Sequence, residues 1–251
     1  MVGRDELVEF LDGYLRTNEF PDKSSNGLQV EGKVEIQKVA FAVDTTLRTI
    51  EKAVRDKADM LVVHHGMIWG GLDYVTGIHY KRLKALIENG LNLYAAHLPL
   101  DAHPEVGNNV GLLKLLGLEP RGAFGDYKGL SIGFWGEFEE PLPVEEVAGI
   151  VSKKLNAGVR TYPFGKRDVR TVGAVSGAGA FALEEAHRKG IDLLITGEFG
   201  HADYLTAVDL PQSVLVAGHY ATETLGVRAL MDVVAERFGV ETMFIDDPTG
   251  L

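Results

Sequence analysis

The chain of 251 residues carries a net charge of −11 at neutral pH, and its 45% hydrophobic and 24% charged residues are the proportions of a folded globular protein. The acidic balance disfavours a phosphate-tracking nucleic-acid surface, which needs clustered Lys and Arg. The absence of cysteine excludes disulfides, zinc ribbons, iron–sulfur clusters and thiol nucleophiles. The start is charged at Arg4, Asp5 and Glu6, and no apolar run is long enough to span a membrane. These features predict a cytoplasmic location.

In chain order, residues 5–16 space Leu7, Leu11 and Tyr14 for one helical face, and 24–32 reads as a turn followed by a short extended piece. Compact apolar runs follow at 39–44, 60–65, 91–97, 172–177, 192–198 and 213–219, separated by helical patterns at 46–57, 79–88, 180–189 and 201–208. Such alternation predicts an α/β fold around a largely parallel sheet, with ligands gathered at the carboxyl ends of its strands. Between 122 and 170 the pattern predicts a strand at 130–139, a helix at 143–156 and, over 159–175, a hairpin around Gly165. This predicts an antiparallel insert or edge at 122–179 on a metal-binding α/β core of 1–121 plus 180–251. A last helix, about 225–238, stops at Gly239.

Residues 39–66 align without a gap on 172–199 at a constant offset of 133, with identity at six of 28 positions. Chance gives roughly two. A further match, at offset 122, pairs His97-x-x-x-Asp101 with His219-x-x-x-Glu223. The reading is two copies of one α/β unit whose strand ends face a shared site.

The chemistry concentrates in histidine. His64, His65, His97 and His219 all lie at predicted strand ends. Neighbouring strand residues point to opposite faces, so His64 and His65 reach one site only where the pleat ends, and Gly66 marks that exit. Imidazoles with a carboxylate at Asp101 suit a divalent first-row metal: iron, zinc or manganese. His219 and Glu223, four apart, share one face of a helix beginning after Gly218, and Glu223 has two oxygens with which to bridge two metals. Asp44 reads as a cap or turn residue, and Trp69 and Trp135 as core or subunit contacts rather than as base-stacking platforms. SGAG (176–179), between a strand and a helix, is a candidate phosphate cradle, although tight packing explains its glycines equally well.

HHG (64–66), His97 and Asp101 with Gly107-Asn108-Asn109, TGEFGH (196–201) and GHYATE (218–223) together resemble the Nif-three-like dinuclear metal center proteins, also called type 2 GTP cyclohydrolase I homologues. SNGLQVEG (25–32) is similar to that family's N-terminal signature, and the resemblance covers nearly the whole chain. It implies two intertwined, repeat-related α/β domains with mixed sheets and helices outside, assembled as a homohexamer. It also implies two divalent metal ions per subunit: His64 and His219 on one, His65 and Asp101 on the other, Glu223 bridging. The chain departs from the commoner pattern at Leu98-Pro99-Leu100 and lacks the extra central domain of longer members.

The expectation is therefore a metal-dependent hydrolase of a nucleotide-like small substrate. Two cations roughly 3.5–4 Å apart activate a water in such sites. His97 and Glu198 are the candidates for proton transfer or ligand orientation. The alternative is a non-catalytic metal carrier or a protein-interaction scaffold.

Overall fold

The computed structural model describes residues 1–72 and 74–251. In chain order the elements are β1 (Val2–Gly3), α1 (Arg4–Leu15), β2 (Gly27–Val30), β3 (Glu35–Ile36), β4 (Lys38–Asp44), α2 (Leu47–Arg55), β5 (Met60–His65), α3 (Gly77–Glu88), β6 (Asn92–Ala95) and the single-turn α4 (Leu98–Asp101). They continue with α5 (Asn108–Leu115), β7 (Gly122–Tyr127), β8 (Leu130–Pro143), α6 (Val144–Leu155), β9 (Arg160–Tyr162), β10 (Asp168–Val175) and, after a 3-10 turn at Gly179–Ala182, α7 (Leu183–Arg188). The last are β11 (Leu193–Thr196), α8 (His201–Asp209), β12 (Ser213–Val216), α9 (His219–Phe238) and β13 (Glu241–Phe244). The mixed α/β class expected from the alternating pattern is what the chain adopts. Two compact units result: Met1–Leu100 with Val227–Asp247, and Asp101–Gly226 with Pro248–Leu251.

The first unit is built on a sheet of order β13-β4-β5-β6-β2, parallel except for β2 at its edge. Its strands are continuous apolar runs because both faces are covered, and Ala40, Ala42, Leu61, Val63 and Leu93 form a core with Ile50 of α2. The helix α2 starts cleanly because Thr46 and Thr49 form a reciprocal capping box. In α1 the residues Leu7, Leu11 and Leu15, one turn apart, are all buried, each contributing roughly 1.5–3 kcal/mol of transfer free energy. The strand β13 carries too short an apolar pattern to stand out in the sequence.

The second unit has the sheet order β7-β8-β10-β11-β12-β9, with β10, β11 and β12 parallel and the other strands antiparallel. Val144, Val147 and Val151 of α6 pack on Val172, Leu193 and Leu215 of this sheet. Residues 122–179 supply β7 and β8 at one edge of this sheet, β9 at the other and β10 inside it, where β8 pairs with β10 from Pro143–Asp168 to Phe134–Ala174. The hairpin expected over 159–175 does not form. β9 pairs with β12 and β10 with β8 and β11, so two strands separate them. The crossing is fixed at Gly165, whose N–H donates to Ser213 Oγ at 3.0 Å. A local turn signal here yields to non-local pairing.

The internal repeat is matched in three dimensions within each unit. Val39 pairs with Met60 in the first sheet and Val172 with Leu193 in the second, the same register at offset 133. At the amino ends of these strands the same clasp recurs. Lys33 Nζ lies 2.6 Å from Asp59 Oδ1, and Lys166 Nζ lies 2.6 Å from Asp192 Oδ1. Asp59 Oδ2 accepts from the N–H groups of Gln37 and Lys38, and Asp192 Oδ2 from those of Arg170 and Thr171. Burial pushes both carboxyls up, but the lysine and the two backbone donors outweigh it and hold both below the ordinary carboxylate range. In the third strand the register offset is 121, because Met60 faces Asn92 and Leu193 faces Ser213. His219 therefore sits one residue further beyond its strand than His97 does.

Candidate metal centre

In the first unit, the carboxyl ends of β4, β5 and β6 bring Asp44, His64, His65 and His97 together. The His64 and His65 rings lie 4.7 Å apart between centroids, and His97 stands 5.1 Å from His64 and 5.6 Å from His65. One ring nitrogen from each of the three lies within 4.8 Å of the others, a group able to hold a metal ion. Each Nδ1 is held by an acceptor. His64 Nδ1 donates to Ala96 O (3.0 Å), His65 Nδ1 to Asp44 Oδ1 (2.8 Å) and His97 Nδ1 to the Asp22 carboxylate (3.0 Å). When the ring is neutral, an Nδ1–H so committed puts the lone pair on Nε2, the form a cation requires.

The N-terminal segment ties down the loops that carry the cluster. Asn26 Oδ1 accepts from His97 N, while Asn26 Nδ2 donates to Asp22. Gln29 Oε1 accepts from the N–H groups of Met67 and Ile68, which fixes the exit of the HHG loop. A Cβ at Gly66 would collide with the Gln29 amide and with Ala95, so only glycine fits there. Burial pushes the Asp22 carboxyl up, but its hydrogen bond to and charge attraction by His97 hold it well below the usual carboxylate range.

In the second unit, His219 opens α9 and Glu223 follows four residues later, one turn above it on the same face. His219 Nε2 lies 3.1 Å from Glu223 Oε1, and His219 Nδ1 lies 2.6 Å from Glu198 Oε1. Burial opposes protonation of His219, yet the carboxylates of Glu223 and Glu198 outweigh it and raise its pKa to about 9. Glu223 and Asp101 are buried, at 3% and 5% exposure, and a buried carboxylate needs compensating charge or donors. Asp101 Oδ1 accepts from Ser176 Oγ and Asn108 Nδ2, both at 2.9 Å. The Gly107-Asn108-Asn109 motif is thus a clamp: Asn108 Oδ1 takes the N–H of Gly226, and Asn109 Oδ1 that of Ser176.

The SGAG segment is a packing turn and not a phosphate cradle. Its N–H groups at Ser176, Gly177 and Gly179 donate to Asn109, Thr222 and Thr196. Gly177 is required by space and by backbone, since φ is +55° and a Cβ would strike Glu223 Oε1. Of the metal-ligand candidates, His64 and His65 lie in the first unit and Asp101, His219 and Glu223 in the second. His97 joins the imidazole cluster, and Glu198 holds His219. Asp44 is no cap, because Thr46 caps α2. Asp22 escapes sequence reading altogether. Trp69 is no core residue: it is 43% exposed, with its ring 4.9 Å from that of His97. Trp135 lies half-buried on β8.

The profile of the family described as Duf34/NIF3 (NGG1p interacting factor 3) matches residues 2–249. The chain belongs to the Duf34/NIF3 family. Curated relatives named "GTP cyclohydrolase 1 type 2 homolog" include one from Pyrococcus abyssi, 63% identical over 249 residues and 99% of both chains, and one from Archaeoglobus fulgidus, 50% identical over 98% of each. Among solved structures, TTHA1606 from Thermus thermophilus is 41% identical with a TM-score of 0.90, and the protein ybgI is 35% identical with a TM-score of 0.93, each over 100% of both chains. The NIF3 fold described above is therefore shared along the entire chain. Among the described residues, no helix is long and apolar enough to cross a membrane.

Proposed function

We propose that this NIF3 protein is a dinuclear divalent-metal hydrolase of a nucleotide-like small substrate, working in the cytoplasm as a homohexamer. The observation that supports it most is shared by four imidazoles in two units. His64, His65, His97 and His219 each have Nδ1 tied to a carbonyl or a carboxylate, the outer hydrogen bond that metal-ligating histidines carry. The donor set therefore fits a metal, and nitrogen with oxygen and no sulfur suits iron, zinc or manganese.

In this reading His64 and His219 would hold one ion and His65 and Asp101 the other, with Glu223 shared between them. Bound there, the two ions would supply Lewis acidity and a water of near-neutral pKa. Asp44 and Glu198 orient His65 and His219, and the clamp of Asn108 and Ser176 aims the Asp101 carboxylate. His97, oriented by Asp22, is the group that moves a proton, through Nε2. The relatives' name, GTP cyclohydrolase 1 type 2 homolog, suggests a purine nucleotide as substrate class.

Metal analysis of untagged protein, followed by a nucleotide-hydrolysis screen with each cation, tests this reading. Glu223→Gln should lose at least one ion per chain, and His97→Ala should lose turnover while keeping its metal. Two tightly held ions in Glu223→Gln would refute the bridge. Metal binding without turnover on any nucleotide would favour the carrier or scaffold reading. Sedimentation at micromolar concentration tests the hexamer, and a monomer there would refute it.

A further inference from the structure

We infer that Trp69 is a stacking platform for a planar heteroaromatic ring, the base of the substrate, beside the imidazole cluster. The inference deepens the hydrolase reading and rests on it for the identity of the reacting group. Three observations on the first unit carry it.

The indole is fixed. Its Nε1–H donates to Gly66 O at 2.8 Å, and its backbone forms a bridge with Ser24, flanked by hydrogen bonds from Ser25 N to Ile68 O and from Gly70 N to Lys23 O. A ring held at both its polar edge and its backbone loses little freedom on receiving a ligand.

The indole is also open and adjacent to the chemistry. Its ring and that of His97 meet in a T-shaped arrangement at 4.9 Å and it lies 6.1 Å from His65, yet 43% of the residue stays exposed. A side chain needed only to buttress His97 would do so as well without an indole or its pinned N–H. What the indole adds is a flat π-surface, which attracts other flat rings irrespective of their edge pattern. The position, just beyond the His64-His65-Gly66 exit, places that surface where a base would lie while its attached group reaches the imidazoles.

Guanosine and ribose 5-phosphate, as ring-bearing and ringless probes, test the inference on the full-length protein with and without bound zinc. Binding is read by tryptophan fluorescence and calorimetry. The chain has two tryptophans, so the signal of Trp69 is the difference between wild type and Trp69→Phe. Guanosine should quench that signal, and Trp69→Leu should weaken guanosine binding about tenfold or more. Trp69→Phe should recover most of the loss, and zinc content should be unchanged in both variants. Ribose 5-phosphate should bind all three proteins equally.

Equal guanosine affinity in wild type and Trp69→Leu overturns the platform. So does a Trp69 signal shielded from acrylamide in the free protein, which would mean that another subunit covers the ring. Guanosine binding lost in Trp69→Leu but no metal bound by wild type would sustain the platform and sink the metal reading. Normal zinc binding with no ring-dependent affinity would do the reverse.

Discussion

Removing the Asp44 carboxylate separates a metal-binding imidazole cluster from a merely structural stack of rings. Asp44 Oδ1 accepts from His65 Nδ1 at 2.8 Å, and its side chain remains 29% exposed. The fold therefore depends on it weakly, because a half-exposed single hydrogen bond or ion pair contributes about 0–1 kcal/mol. Cation affinity should depend on it strongly. The carboxylate fixes the tautomer and raises the basicity of the imidazole, and losing such a partner costs roughly 10–100-fold in metal affinity. That is about 1.4–2.7 kcal/mol, more than the expected loss of stability. Asp44→Asn keeps an acceptor but not the charge, so it should fall between wild type and Asp44→Ala. Competition for zinc against a chelator gives the affinity, and thermal unfolding of metal-free protein gives the stability. Unchanged zinc affinity in Asp44→Ala, or a loss of stability equal to the loss of affinity, would refute the argument.

Gly177→Ala should lower metal content and destabilise the second unit by more than about 1 kcal/mol, because the strained left-handed backbone adds to a Cβ thrust into Glu223; elemental analysis and thermal unfolding measure the two effects. Asp59→Asn and Asp192→Asn should each cost about 1.5–3 kcal/mol at pH 7, the range for hydrogen bonds to a charged group. Both carboxyls are held below their ordinary range in the folded protein. Their stabilisation is therefore full above about pH 4 and is lost as the pH falls through the folded value. Urea unfolding between pH 7 and pH 3 should show the wild-type advantage shrinking on the acid side, and an advantage that grows there would contradict the clasp.

The imidazoles are legible in the sequence because each ends or follows an apolar run, and a histidine pair before glycine at a strand exit has few structural explanations. The residues that orient them are not. Asp44 is opposite His65 only through the parallel register of β4 and β5, which a single sequence does not display. Asp22 comes to His97 from 75 residues away in an irregular stretch, where no periodicity marks a buried carboxylate. For Trp69, hydrophobicity argues for burial, whereas its hydrogen bond to Gly66 fixes it at the surface. The SGAG glycines carry a true signal of close approach, but the approaching atoms are protein: Thr196, Thr222 and Glu223.

The two copies of the repeat differ in a way that separates folding from chemistry. At the amino ends of their strands they keep one solution, Lys33–Asp59 and Lys166–Asp192, because strand register and buried backbone donors must be satisfied in both. At the carboxyl ends the positions have exchanged roles. His65 aligns with Glu198, and Asp44 with Gly177, at the same offset of 133. The first copy takes its imidazole from the aligned position and its carboxylate from the preceding strand. The second takes its carboxylate from the aligned position and its imidazole, His219, from beyond the following strand. Each copy still holds an Nδ1–carboxylate pair at the aligned position, at 2.8 Å and 2.6 Å, and the first copy adds a second, His97 on Asp22. Packing does not demand that pairing, since the residues carrying it differ while the strands beneath keep their register. A requirement for an oriented, basic imidazole in each copy accounts for it, and that requirement is what a divalent cation imposes.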